Sequence, residues 1–202
     1  MNFTTRQLVI LAVFGALWGL VEISLGAVLH AIRMPMTGVF LSAVGLTIVM
    51  IGRLFVPKVG ATLFIGIVAM ILKLFSIGTV VVGPMVGILA VALIAEIVLS
   101  AARRPSRIAF MLAGGIALLW TLVQPFFTGL LLFGRDALGI WLGLLEEGGR
   151  LIGVGSEAAV LIMLVLIGLR LLLGAAAGWL AWDVGHLLQT RLGRVQMTAE
   201  MG

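Results

Sequence analysis

The chain of 202 residues is 62% hydrophobic and 10% charged, with a mean hydropathy of +1.30, against roughly 45–50% apolar and about 25% charged in soluble domains. Water is therefore not its main solvent, and a soluble catalytic domain is excluded. It has no cysteine, which excludes disulfides, thiolate metal sites and cysteine nucleophiles, and its net charge of +5 gathers at the ends of apolar runs, a topology signal rather than a sign of nucleic-acid binding.

Apolar runs of about twenty residues separated by short loops are the pattern of helices that satisfy their own backbone in lipid. No alternating strand pattern of a β-barrel is present. The reading is an all-α polytopic membrane bundle, one transmembrane domain over 1–202, with six transmembrane helices at 7–32, 35–52, 59–75, 84–102, 108–133 and 157–182. Each can cover a hydrocarbon core of about 30 Å at a rise of about 1.5 Å per residue, the second and third only just.

The first run is too long for the apolar core of a secretory signal and lacks a small-residue cleavage site, so it is kept as a mature helix. Near its middle stands Glu22, and at its end His30 and Arg33. Pro35 and Pro84 fall where the second and fourth spans begin, and Pro57 and Pro105 sit in turns, all places where a missing N–H costs little. Lys73 closes the third span and Glu96 lies in the fourth. Pro125 is the one proline inside a span; it should kink the fifth helix and free a carbonyl near Thr121. The segment 136–152 is too polar to span, with Leu138, Trp141, Leu142 and Leu145 at helical spacing. Two readings stand for it: an amphipathic helix folded over the bundle, or a loop anchored in the headgroups. The tail after Gln189 is expected to fray.

Arg6, Arg53, Lys58, Arg103, Arg104, Arg107, Arg191 and Arg194 fall on one side of this layout, whereas Arg33, Arg135 and Arg150 on the other share their loops with Asp136, Glu146 and Glu147. The positive-inside bias makes the first side, with both termini, cytoplasmic.

Charges inside a span cost at least about 2.5–3.5 kcal/mol each, so they pair or line a cavity. Glu22 and Arg170 fall at similar depth and are read as a structural ion pair; Glu96 is read as structural. The outer ends gather His30, Lys73, Gln124 and Glu157, with Trp120 and Trp141 as flat walls. These form a candidate solute pocket, with Lys73 countering an anion and Gln124 bonding a polar edge. The competing reading makes them interfacial anchors.

Small residues recur at four-residue spacing in Ala12 and Ala16, Gly15 and Gly19, Gly83 and Gly87, and Gly174 and Gly178, a pattern of close helix approach. Enzyme readings fail. EEGGR at 146–150 misses the spacing and the histidines of the intramembrane CAAX-type proteases. His30 and His186 lie at opposite faces and cannot share a metal, and HExxH, nucleophile-elbow and Walker motifs are absent. Neither a metal nor a cofactor is called for.

At 11–19, LAVFGALWG resembles the first helix of the substrate-binding S components of energy-coupling factor (ECF) transporters. The runs GRLFVPKVGATLFIGIVAMILKL and GPMVGILAVALIAEI are similar to the third and fourth helices of such proteins. The resemblance implies a six-helix subunit in a prokaryotic cytoplasmic membrane that captures a vitamin-like or other small solute from outside. It also implies that Ala12 and Ala16 match the family's AxxxA motif, which docks on a shared transmembrane coupling subunit driven by two ATPase subunits. No riboflavin, biotin or thiamin signature is present. The alternative is an assembly subunit of a membrane complex with no solute site; a self-sufficient channel or carrier lacks a through-running polar stripe and an inverted repeat.

Overall fold

The computed structural model describes residues 3–75, 82–102, 105–134, 136–155 and 158–200, the side chains at 131–133 and 192–200 excepted. Arg103, Arg104, Arg135 and Glu157, which entered the expectations above, lie outside the described residues, as does the side chain of Arg194. Seven α-helices and no strand are found among those described: α1 Thr5–Ala31, α2 Thr37–Phe55, α3 Ala61–Lys73, α4 Val82–Ala101, α5 Arg107–Phe133, α6 Ala137–Ile152 and α7 Ala159–Glu200. Five of them, α1, α2, α4, α5 and α7, are long and apolar enough to cross a membrane. They make the chain a membrane-embedded helical bundle.

The ends of the helices follow from local chemistry. Thr4 and Gln7 form a capping box on α1: Thr4 Oγ1 accepts from the Gln7 N–H at 3.4 Å and Gln7 Oε1 accepts from the Thr4 N–H at 3.1 Å. Ser106 caps α5 by accepting from the Ala109 N–H at 3.2 Å, and Asp136 caps α6 through the Gly139 N–H at 2.6 Å. The α1–α2 connection is tight. Arg33 and Met36 take φ of 52° and 55°, and Thr37 Oγ1 donates to the Met34 carbonyl at 2.6 Å. Pro35 sits inside this connection, two residues ahead of α2 and not at its first helical position. Pro84 lies in the first turn of α4, as the N–H argument requires.

Two elements depart from the sequence reading. The third run forms only 13 helical residues, about 20 Å of rise, where a span of seventeen was expected. It packs between α1 and α4: Gly15 and Gly19 face the side chains of Val68 and Leu72, and Gly66 faces Ala92. The tail does not fray after Gln189. Helix α7 runs unbroken for 42 residues, about 63 Å, or twice the thickness of a bilayer core. Beyond the apolar stretch, Gln189 Nε2 donates to the Leu54 carbonyl at 2.8 Å and Asp183 pairs with Arg107.

The main core joins α1, α2, α3, α4, α5 and α7 around Leu11, Trp18, Leu46, Ile65, Val91 and Phe110. A second, smaller cluster of Leu122, Leu145, Ile162 and Leu166 fastens α6 to α5 and α7. Helix α6 therefore folds onto the bundle. Its buried side is Leu144, Leu145, Gly148 and Gly149, while Leu138 and Leu142, expected on the apolar seam, are 65% and 51% exposed. Large apolar residues along the outside, such as Val9, Val13, Leu17 and Leu20 on α1, suit lipid as the neighbour.

Helices α5 and α7 cross with their backbones in contact. A Cβ added at Gly174 would stand 2.2 Å from the Gly114 carbonyl oxygen, and one at Gly178 would stand 2.1 Å from that of Phe110. Neither obstacle is a flexible side chain, so only separation of the helices relieves the clash. Gly174→Ala is expected to destabilise the protein by about 1–3 kcal/mol in thermal unfolding in detergent. Gly168→Ala, where a Cβ meets nothing within 4 Å, should be neutral or slightly stabilising. Equal behaviour of the two variants would contradict this account.

Candidate functional site

A cavity of about 540 Å³ lies at the α6 end of the bundle, between the starts of α2 and α4, the middle of α5, the inner side of α6 and α7. That size is within the usual range for small-molecule sites. Its polar lining comes from Thr121, Gln124, Thr128, Glu147 and Arg170, and its apolar lining includes Met36, Val39, Pro125, Ile140 and Leu144.

Arg170 is 4% exposed and comes from α7. Its Nε donates to Thr121 Oγ1 at 2.9 Å and its Nη1 to the Leu166 carbonyl at 3.0 Å. The Thr121 hydroxyl proton is committed to the Leu118 carbonyl at 2.8 Å, which leaves its oxygen free to accept from the arginine. Nη2 has no hydrogen-bond partner among the described residues, and no described carboxylate stands within ion-pair distance of the guanidinium. The carboxylate that acts on it electrostatically, Glu147, is an exposed residue at the cavity rim.

The other polar groups flank the proline. Pro125 brings no N–H, so the Thr121 carbonyl one turn earlier loses its helical donor, beside the cavity. Thr128 Oγ1 donates to the Gln124 carbonyl at 2.8 Å, and Gln124 Nε2 donates to the Gly83 carbonyl at 2.9 Å, tying α5 to α4. Gln124 Oε1 and the lone pairs of Thr128 remain as acceptors.

The expected ion pair between Glu22 and Arg170 does not form. Glu22 instead meets Lys73: Nζ lies 3.4 Å from Glu22 Oε2 and donates to the Glu22 carbonyl at 3.2 Å, while Trp18 Nε1 donates to Oε1 at 3.4 Å. The reason is helix adjacency, since α1 packs on α3 and α7 on α5. Lys73 is thereby removed from the cavity lining. Of the other expected pocket residues, Gln124 lines the cavity, and His30 and Trp120 do not join it. His30 is exposed and its Nδ1 engages the Gly26 carbonyl of its own helix at 2.7 Å. Trp120 packs into the main core, its ring 5.8 Å from Phe127, with its Nε1 buried and unpartnered among the described residues. Glu157 lies outside the described residues. Thr121, Thr128 and Glu147 were missed as pocket residues, and Arg170 was assigned to an ion pair instead; the usable signals were the carbonyl that Pro125 frees and a charge inside a span.

At the opposite end Glu96 is the hub. Its carboxylate accepts from the Gly60 and Thr62 N–H groups at 2.8 and 2.9 Å and from the Thr62 and Ser100 hydroxyls, and Arg53 Nη1 stands 3.4 Å away. A side chain of α4 thus supplies the N-terminal cap that Gly60 cannot give α3. A second cavity of about 520 Å³ opens beside Arg53, but there the guanidinium already faces Glu96.

No family model, curated protein or solved structure matches the chain.

Proposed function

We propose that this chain is the solute-capturing subunit of an energy-coupled importer of the ECF kind, a multi-pass protein of a prokaryotic cytoplasmic membrane with both termini inside and no enzymatic activity of its own. In this reading α3, short but packed between two long helices, completes six spans, with the bilayer thinning locally to meet it. The cavity under α6 then faces outward and holds the solute. The observation that carries the reading is Arg170, a buried cation with no described carboxylate within ion-pair distance, lining a cavity of small-molecule size.

The other end supports the partner half of the reading. Gly15 and Gly19 are used up in packing on α3, whereas Ala12 is exposed and Ala16 half-buried on the outward side of α1, away from the cavity. They are placed to meet the transmembrane coupling subunit that two ATPases would drive. Replacing both by leucine should abolish uptake in cells carrying those partners and change solute binding by the isolated subunit less than about twofold. Unchanged uptake would sink the docking assignment.

A second reading, an assembly subunit without a solute site, is favoured by the internal satisfaction of Glu22, Lys73, Arg53 and Glu96. Arg170 is the residue it leaves unexplained. Recovery of stable partners without any solute-dependent uptake would favour it.

A further inference from the structure

We infer that the cavity under α6 takes a small amphipathic monocarboxylate, its carboxylate seated on Arg170 and its apolar body lying between α2 and α6. This deepens the solute-capture reading and rests on it only in placing the ligand in the cavity.

Arginine presents a planar fork of five donors that matches a carboxylate. Here the Nε and Nη1 bonds to Thr121 and to the Leu166 carbonyl hold the guanidinium plane, and Nη2 is left without a described partner. A cation so buried, at 4% exposure, is costly unless an anion meets it. No described carboxylate stands within ion-pair distance of it, the Glu147 carboxylate that acts on it being exposed at the rim, and the arginine lines an open volume. Lysine would bind as a point charge; the oriented fork selects a planar oxyanion.

The number of charges follows from the rim. Glu147 is the second ionisable group on the cavity lining, and its negative charge opposes a doubly charged phosphate monoester more than a carboxylate. Beside the arginine, Gln124 Oε1 and the Thr128 oxygen offer acceptors for a donor edge of the solute. The rest of the wall, Met36, Val39, Ile140 and Leu144, suits an apolar body.

The test is a thermal-shift series on the full-length protein in phosphatidylcholine nanodiscs, using matched acids and amides at millimolar concentration: benzoate and benzamide, hexanoate and hexanamide, leucine and leucinamide, with glycerol phosphate as the dianion. At least one acid should raise the unfolding midpoint where its amide and the phosphate do not. Arg170→Gln should abolish that preference. Arg170→Lys, which keeps the charge, should retain the order with affinity lower by about tenfold; it also serves as the folded control should the glutamine variant fail. No acid-over-amide preference in the wild type, or an undiminished preference in Arg170→Gln, would overturn the inference. So would retention of phosphatidylserine at Arg170, which would make a lipid headgroup the anion. The importer reading fails separately, through absence of partner-dependent uptake, and leaves a positive thermal shift untouched.

Discussion

Glu96→Ala is expected to destabilise the protein by about 3–5 kcal/mol, the usual cost of breaking a buried ion pair from one side, in reversible unfolding in mixed detergent. The carboxylate gathers four hydrogen bonds from Gly60, Thr62 and Ser100 and faces the buried Arg53 guanidinium. Removing it strands that cation and uncaps α3, whose N-terminus has no side-chain cap of its own. The lost cap alone accounts for about 0.5–2 kcal/mol. Glu96→Gln keeps acceptor oxygen and shape but loses the charge, so its loss should be smaller. Adding Arg53→Met to Glu96→Ala should recover part of the deficit by removing the stranded cation. A loss below about 1 kcal/mol, the value of an ordinary hydrogen bond, would show that the hub is not what holds α3 to α4.

Lys73→Ala is the second large effect, again about 3–5 kcal/mol, because it leaves the buried Glu22 carboxyl without its cation and held only by Trp18. The pair variant Glu22→Leu with Lys73→Met should return stability to near the wild-type value, since two apolar side chains of similar volume replace two charges. The same unfolding assay reads both. A double variant as unstable as the single one would mean that the pair does more than neutralise itself. Under the proposed solute-capture reading, binding should be unaffected in the double variant, because neither residue lines the cavity; a binding loss there would return Lys73 to the pocket.

Helix class and the long spans were legible because apolar runs of this length have few other homes. The end of α3 was not: hydropathy stays high through Leu74 and Phe75, so the sequence offers no contrast at the point where helical hydrogen bonding stops. At α7 the error ran the other way. Falling hydropathy after Gln189 was read as fraying, although loss of apolar character does not end a helix without a Gly cap or a proline.

For the site, depth along the membrane normal could be read and azimuth could not. Glu22 and Arg170 were paired by depth, yet each meets whatever helix lies beside it. The glycines held the missing information. Gly15 and Gly19 mark the face of α1 that meets α3, where Lys73 stands, and Gly174 and Gly178 mark the face of α7 that meets α5, where Thr121 stands. Spacing alone did not say which partner each glycine pair touches.

The buried charges among the described residues are three cations, Arg53, Lys73 and Arg170, and two anions, Glu22 and Glu96. The count is odd. An interior of low permittivity does not hold a lone charge cheaply, so electroneutrality has to be completed by something other than these side chains. The exposed Glu147 supplies part of that charge from the rim; under the proposed reading an anion in the cavity supplies the rest and so becomes a component of the fold as well. On that reading occupancy and unfolding are linked by mass action, and filling the cavity should raise the stability of the bundle.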